Sequence, residues 1–518
     1  MIQDLFEHTP FLQGLSVWTL VSWVGFALAI LCIPSILLQR RDRPMAALAW
    51  ILCLLQVPIL GILMWWLFGL THMRRRRRKR RLAIQEIDVR LKDRRDRLQT
   101  IEQAKTQGAE QDEEEITTLN KELTTSDEGS GIINFFDIES GISPTSSNNH
   151  VTAYTNAQDA FNAFADAIRH AKDHVHFEFY IWEDDATGRR FRDLLIECAQ
   201  RGVEVRALYD GIGGSRVNGK FMKKLKRAGG KAAPFLPVTL LERRLRINFR
   251  NHRKIIVIDG KIAFTGGINI ADEYLEWHDT AYRLEGPVAY QFQEVFAEDW
   301  FFATRQDIVD ERYFPDTRER TPPDDTDTTH THSGGARARL LASGPDMRAQ
   351  SIHKAFFLSM TSATERLWMT TPYFIPDEAI AMALETAALR GVDVRIILPD
   401  RDATDVFVTY WAGRAFYDRL LEAGVKIYEF TGRILHAKSL ILDDKWSFVG
   451  SSNMDIRSFR LNFETNCIIE DTHLNQRLTQ FFEDTLLECS AVDLETFQKR
   501  SRVHRLFEAI TRLFSPLL

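Results

Sequence analysis

The 518-residue chain is 45% hydrophobic and 26% charged, which excludes a disordered chain or a small disulfide-stapled scaffold and requires at least one large core. Its 66 lysines and arginines against 71 aspartates and glutamates leave a net charge of −5, which argues against a generally basic nucleic-acid binder. Eight of the cations are consecutive at residues 74–81, and without them 58 cations face 71 acids, a net of −13.

In chain order, residues 11–38 carry no charge over 28 positions and residues 45–70 none over 26. Each run is long enough for a helix across a hydrocarbon core of about 30 Å, which takes about 20 residues. A two-helix transmembrane hairpin is therefore expected within residues 1–81, with helices at 11–38 and 45–70, joined through QRRDRP with Pro44 opening the second. Trp18, Trp65 and Trp66 lie near the ends of the runs, as interfacial aromatics do. A cleaved signal peptide fits the first run poorly, because MIQDLFEH lacks a cationic start and no A-x-A site follows. The cations at 74–81 outweigh the three arginines of the connecting loop and predict a main body on the cytoplasmic side. Their position after an apolar run favours contact with anionic lipid heads over a nuclear-localisation or nucleic-acid arm. The five cysteines, at 32, 53, 198, 467 and 489, form no CxxC and suggest neither a zinc site nor a disulfide framework. They suit a reducing compartment.

Residues 82–150 are charged and rich in Gln, Thr and Ser, with an acidic stretch at 112–115, and read as a solvated linker opening on a helix. Thereafter strands and helices alternate. AFADAIRHAKDHVHFEFYIWEDD and FRDLLIECAQRGVEVRALYD predict helix, strand, helix, strand, and residues 351–400 repeat that order, down to RGVEVR at 201–206 and RGVDVR at 390–395. The expectation is an α/β chain of two duplicated halves with mixed sheets, at 151–320 and 338–518, parted by a Pro/Asp/Thr separator at 321–337. His330 and His332 in the separator lack further ligands nearby and do not suggest a metal site. DGIGGS at 210–215 fits no dinucleotide fingerprint, and there is no P-loop sequence.

The chemistry lies in a second repeat. NHRKIIVIDGKIAFTGGINIADEY in the first half matches LHAKSLILDDKWSFVGSSNMDIRS in the second. In both, a His and a Lys are two apart (His252 and Lys254; His436 and Lys438), an Asp follows the Lys by five (Asp259 and Asp443), and an Asn follows the Asp by ten (Asn269 and Asn453). One His-x-Lys carries no weight, whereas two copies with four matched positions do. In an extended segment, residues two apart point to the same side, so imidazole and ammonium project together. Each Asp falls at a turn before a returning apolar run, which predicts a hairpin. Asp259 and Asp443 are expected to orient the turn and the Lys rather than to attack. The glycine-rich returns would let backbone and Asn donors approach an anion.

This set suits a phosphodiester. One neutral histidine attacks phosphorus while the other, protonated, supplies the leaving alkoxide, and two lysines and two asparagines hold the equatorial oxygens. Asp279 follows His252 by 27 residues and Glu464 follows His436 by 28, so each acid is expected to accept the ring proton of the histidine in its own half. Ordinary surface salt bridges are the bland alternative for these acids.

The doubled HxKxxxxD pattern resembles the phospholipase D superfamily, and RDRPMAALAWILCLLQVPILGILMWWLFG, GGINIADEY, GSSNMDIRSFRLNFE and the closing LFSPLL resemble its bacterial cardiolipin synthases. The likeness covers residues 11–81 and 150–518. It implies two phospholipase D-like halves that transfer a phosphatidyl group between two phosphatidylglycerol molecules to give cardiolipin and glycerol, with no metal or cofactor. It also implies His252 as nucleophile and His436 as acid and then base, although the near-symmetric sequence leaves the opposite assignment open. Gly267 stands where the second half has Ser451, which puts hydroxyl assistance in the first half in doubt. The expected partners are membrane phospholipids, phosphatidylglycerol and cardiolipin, and no nucleic acid, at a bacterial inner membrane. A membrane-bound phospholipase is the rival enzyme, a nuclease of the superfamily fits the acidic body poorly, and an inert scaffold fits poorly with two intact motifs. Basic stretches at 220–231 and 243–254 are candidate headgroup contacts. The carboxyl end, FQKRSRVHRLFEAITRLFSPLL, reads equally as an interfacial amphipathic helix or as a packing helix.

Overall fold

The computed structural model describes residues 17–39, 44–66, 143–217, 219–237, 249–315, 333–345 and 350–515. The cationic run at 74–81, the linker up to residue 142, residues 238–248 and most of the separator lie outside them. The chain divides into two units, residues 1–78 with 239–248, and residues 79–238 with 249–518.

In the first unit, helix α1 (Val17–Gln39) holds the segment Ser22–Gln39, long and apolar enough to cross a membrane. Trp23, Leu31 and Leu38 are exposed on it. The second apolar run does not form the expected single span. It is α2 (Pro44–Gln56) and α3 (Pro58–Met64), broken at Val57. Pro58 has no amide hydrogen and ends the ladder. The chain folds back closely enough that a Cβ on Gly61 would lie 2.9 Å from the Cys53 carbonyl, and Trp50 meets Trp65 edge-on at 5.3 Å. The 13 residues of α2 reach only about 20 Å at 1.5 Å per residue.

The second unit is an α/β body. Its first half runs β1 (Ser146–Tyr154), α4 (Ala157–His170), β2 (His174–Phe179), α5 (Ala186–Gln200), β3 (Glu204–Asp210), α6 (Lys220–Arg227), β4 (Lys231–Phe235), β5 (Arg250–Asn251), β6 (Ile255–Ile258), β7 (Ile262–Gly266), β8 (Ala281–Glu285) and α7 (Pro287–Thr304). The second runs β9 (Ser333–Ser343), α8 (Ser351–Ser362), β10 (Arg366–Thr370), β11 (Phe374–Ile375), α9 (Glu378–Leu389), β12 (Asp393–Pro399), α10 (Phe407–Arg414), α11 (Tyr417–Glu422) and β13 (Lys426–Phe430). It continues through β14 (Ser439–Leu442), β15 (Trp446–Gly450), β16 (Met454–Asp455), α12 (Ile456–Arg460), β17 (Asn462–Glu470), α13 (Thr472–Leu486), β18 (Cys489–Ala491), α14 (Leu494–Gln498) and α15 (Arg502–Arg512).

Most strands join in one mixed sheet, ordered β18-β13-β12-β10-β14-β15-β17-β9-β1-β8-β7-β6-β2-β3-β4, with β5 pairing β17 off this path, while β11 and β16 form a separate parallel pair. The order is nearly palindromic about the antiparallel β9–β1 pair, with parallel pairs toward the outside of each half, capped in the second half by antiparallel β18. Helices cover both faces, which is why the strands read as continuous apolar runs. Ile256 and Ile258 of β6 pack with α4 and α5, whereas Ile255 and Val257 face α7. Two boundaries differ from expectation: β1 takes residues 146–150 from the polar stretch assigned to the linker, and β9 takes 333–337 from the separator. The polar side chains are used internally. Asn149 is buried, donates to the Ala336 carbonyl at 3.1 Å and accepts from the Val288 amide at 2.8 Å, which ties β1 to β9 and α7.

Candidate active site

His252 and Lys254 lie in the extended segment between β5 and β6, and His436 and Lys438 in the segment before β14. All four side chains are buried, and the two pairs act on one another electrostatically within one site. Lys254 Nζ donates to the His252 carbonyl at 2.9 Å, and Lys438 makes the equivalent bond to His436.

The acids are exchanged between the halves. His252 Nδ1 lies 3.0 Å from Glu464 Oε2, and His436 Nδ1 lies 2.6 Å from Asp279 Oδ2, which corrects the pairing expected within each half. The backbone dictates the exchange. The His252 amide donates to the Phe463 carbonyl at 2.9 Å beside the parallel β5–β17 pair, and the next residue is Glu464. Likewise the amides of His436 and Ala437 donate to the His278 carbonyl at 2.8 and 3.0 Å, and the next residue is Asp279.

Asp259 and Asp443 sit at the far ends of β6 and β14, about 16 Å from their lysines at 3.3 Å per residue. They do not hold the lysines. Asp259 accepts from the amides of Lys172, Asp173 and His174, and Asp443 from those of Thr364, Glu365 and Arg366, fixing the entries to β2 and β10. Both have positive φ, +52° and +47°, which Asp tolerates at turns. Asp443→Ala is expected to cost about 2 kcal/mol of stability by orphaning these amides. It should show as a lowered thermal-inactivation midpoint with kcat per folded molecule nearly unchanged.

Asn269 is occupied by the fold: its Oδ1 accepts from the Ile181 amide at 3.0 Å and its Nδ2 donates to Tyr274 Oη at 2.7 Å. Asn453 differs, because its Oδ1 is buried without a hydrogen-bond partner. In the glycine-rich returns, two amides are engaged in strand approach. The amides of Gly267 and Ser451 donate to the carbonyls of Thr280 and Thr465, both at 2.9 Å.

The Gly267 and Ser451 difference matches the difference between the acids. A Cβ at Gly267 would lie 2.0 Å from Asp279 Oδ1, so the shorter acid fills the space that a side chain would need. Glu464, longer by one methylene, leaves room for Ser451, whose Oγ donates to Glu464 Oε2 at 2.5 Å and accepts from the Thr465 amide at 3.0 Å. Gly267→Ala is expected to push Asp279 off His436 and lower kcat about 10²-fold, the scale of an ångström-level misplacement. Steady-state kinetics on Gly267→Ala beside Ser451→Ala checks this, the latter losing less because Glu464 keeps its place.

Several site residues have no signature in the sequence. Arg253, between His252 and Lys254, is fully buried, ion-paired with Asp299 and donating to the Glu464 carbonyl at 3.3 Å. Tyr180 stands edge-on to His252 at 4.9 Å, and Trp277 and Tyr274 lie 5.2 and 5.6 Å from His436. Exposed Asp405, which accepts from Tyr373 Oη at 2.7 Å, adds negative charge beside His436 and Lys438. The basic stretch at 220–231 is partly α6, which turns Phe221, Met222 and Leu225 into the core.

Burial sets the electrostatics. It lowers His252 to about 4 against the pull of Glu464, and burial together with Lys438 holds His436 well below its usual value. It also brings Lys254 down to about 7 and Lys438 to about 8, and raises Asp279 to about 6. Burial pushes Glu464 upward too, but His252, Lys254 and the Ser451 hydroxyl outweigh it and hold the carboxylate below its usual range. An ionised Glu464 accepts a hydrogen bond from Nδ1–H of a neutral His252 and leaves Nε2 with a lone pair.

Comparison with known proteins fits this geometry. A family model described as "Cardiolipin synthase, PLD-like domain" matches residues 164–300 and 358–486, and "Phospholipase_D-nuclease N-terminal" matches residues 27–69. The chain is 35% identical to a cardiolipin synthase of Alkalihalophilus pseudofirmus, over 99% of this chain and 97% of that one. It is 34% identical to cardiolipin synthase 2 of Bacillus anthracis, over 95% and 91%. Among solved structures, the phosphatidylserine synthase of Haemophilus influenzae aligns with a TM-score of 0.55 at 14% identity, over 76% of this chain and 100% of that one, a likeness of fold alone.

Proposed function

The chain belongs to the cardiolipin synthase family with phospholipase D-like domains, and from that premise we propose that it transfers a phosphatidyl group from one phosphatidylglycerol to another, giving cardiolipin and glycerol. His252 Nε2 attacks the donor phosphorus as the bond from phosphorus to the glycerol oxygen breaks; His436, neutral before substrate binds, becomes protonated beside the bound phosphate anion and Asp279 and gives that proton to the leaving oxygen. The resulting phosphohistidine is then attacked by the terminal hydroxyl of the second phosphatidylglycerol. His436 takes the hydroxyl proton, the bond from phosphorus to nitrogen breaks, and His252 returns to its starting state. Lys254, Lys438 and Asn453 hold the equatorial oxygens; Asn269 positions the loop instead. The observation that carries the reading is the exchanged pair of acids, one held ionised behind a neutral nucleophile, the other poised near neutrality beside a ring that must give and then take a proton.

The apolar first unit supports membrane association, and the cations at 74–81 support a bacterial inner membrane protein with both apolar runs in the bilayer and the body facing the cytoplasm. Purified protein given only phosphatidylglycerol in mixed micelles with EDTA is expected to produce cardiolipin and glycerol. Phosphatidic acid without cardiolipin would instead establish a hydrolase.

The pH profile follows from the site. The lysines grip the phosphodiester as cations, so kcat/KM falls as pH rises through about 7 to 8, where Lys254 and Lys438 lose their protons. On the acid side Asp279 takes up a proton near 6 and loosens its hold on His436. A bell with its maximum between these values is expected. The alkaline limb of kcat should lie higher than that of kcat/KM, because bound substrate anion stabilises the cations. A flat profile from pH 5 to 9 would sink this account.

A further inference from the structure

Helix α15 is inverted with respect to an ordinary surface helix, which buries its apolar stripe. Val503, Leu506, Phe507, Ile510, Leu513 and Phe514 form one stripe at helical spacing, and all are exposed, Leu513 to 78%. The residues turned inward are Glu508, Thr511 and Ser515. Glu508 is held by Arg500 at 2.9 Å, which also grips Asp418 at 2.6 Å, and the hydroxyls of Thr511 and Ser515 donate to the carbonyls of Phe507 and Arg512. The inward side of the helix is thus polar and satisfied, by Arg500 and by carbonyls of its own segment, and its apolar side is left exposed.

Helix α10 enlarges the same face. Phe507 lies 5.2 Å from Trp411 and 6.5 Å from Phe407, and Val406, Phe407 and Val408 are themselves exposed. Exposed cations border it: Arg401, 5.9 Å from the Phe407 ring, with Arg502, Arg505 and Arg512 on α15. The face is continuous with the catalytic site, because Val406 directly follows Asp405, whose charge acts on His436 and Lys438.

We propose that the α10–α15 face docks the catalytic body on an anionic bilayer leaflet, its apolar side chains entering the boundary between headgroups and acyl chains and its arginines meeting lipid phosphates. The proposal deepens the lipid-transfer reading above and rests on it. A cationic border favours an anionic lipid surface over a second copy of this face, which would set like charges together. Docking here puts the Asp405 and His436 edge of the site at the leaflet, so a headgroup reaches phosphoryl transfer while its acyl chains stay in lipid.

The test uses the full chain, its native cysteines replaced, reconstituted in vesicles of phosphatidylglycerol and phosphatidylcholine. Nitroxides are placed at Leu506→Cys and, as an aqueous reference, at Glu495→Cys on α14, whose side chain is 80% exposed. The label at 506 should favour relaxation by oxygen over a water-soluble nickel chelate and the label at 495 the reverse. Equal nickel access at both positions would overturn the docking, as would dipolar broadening between labels at 506 in detergent and vesicles alike, which would mark a second copy as the cover. In kinetics, the double variant L506E/L513E should lose about tenfold on bilayer phosphatidylglycerol, the effect of removing even one buried apolar side chain, and keep its rate on a monomeric short-chain analogue. An unchanged bilayer rate, or an equal loss on both substrates, would overturn it. The label readout needs no turnover, so a buried label at 506 with no cardiolipin among the products would remove the reaction and leave the docking standing.

Discussion

With a phosphatidyl ester of p-nitrophenol as donor, His436→Ala is expected to release one equivalent of nitrophenolate and stall, whereas His252→Ala releases none. The nucleophile survives in His436→Ala, and nitrophenolate departs without a proton. The phospho-enzyme then accumulates, because no base activates the second alcohol. With phosphatidylglycerol itself the leaving alkoxide needs its proton, so the same variant should lose about 10⁴-fold in kcat, the upper range for a general acid–base group. His252→Ala has no atom to carry the phosphatidyl group and should show neither burst nor turnover with either donor. Quench-flow detection of the burst and digestion of the labelled protein to locate the phosphorus decide the matter. A burst from His252→Ala and none from His436→Ala would exchange the two roles.

Glu464→Gln is expected to lower kcat by about 10³ to 10⁴, the scale on which an inverted tautomer slows a histidine-dependent hydrolase. The carboxylate accepts the Nδ1 proton of His252 and receives the Ser451 hydroxyl at 2.5 Å. An amide in its place can donate to Nδ1, which moves the ring proton to Nε2 and removes the attacking lone pair. The exchange of acids between halves makes the prediction specific. Nitrogen NMR of labelled histidine should show the tautomer of His252 altered in Glu464→Gln and that of His436 unmoved, with Asp279→Asn giving the mirror result. A change at His436 in Glu464→Gln would restore the pairing within each half and refute the exchange.

The duplicated architecture and the four central side chains were legible because the chain writes them twice in the same order, once in each half. The partnership of acids with histidines was not. Spacings of 27 and 28 residues describe each half alone, whereas the contacts arise from the β9–β1 junction and the β5–β17 pair, which no local pattern records. Asn269 misled in the same way, since its match to Asn453 says nothing of the Ile181 amide and Tyr274 hydroxyl that occupy it. Polarity hid β1, whose buried asparagine serves as an internal connector. Pro58 was visible within the second apolar run, but a hydropathy count cannot see a missing amide hydrogen. The carboxyl-terminal helix was legible as amphipathic, and only its packing reveals which side it turns outward.

The cross-wiring of the two halves bears on how such a chain can change. In most duplicated proteins one copy is free to decay or take up new work while the other keeps the old. Here each histidine is tuned by a carboxylate encoded in the opposite copy, so a lesion in either half reaches both chemical roles. The repeats are locked into joint inheritance at the two histidines, and where their acids differ the neighbouring position differs with them, Gly267 with Asp279 and Ser451 with Glu464.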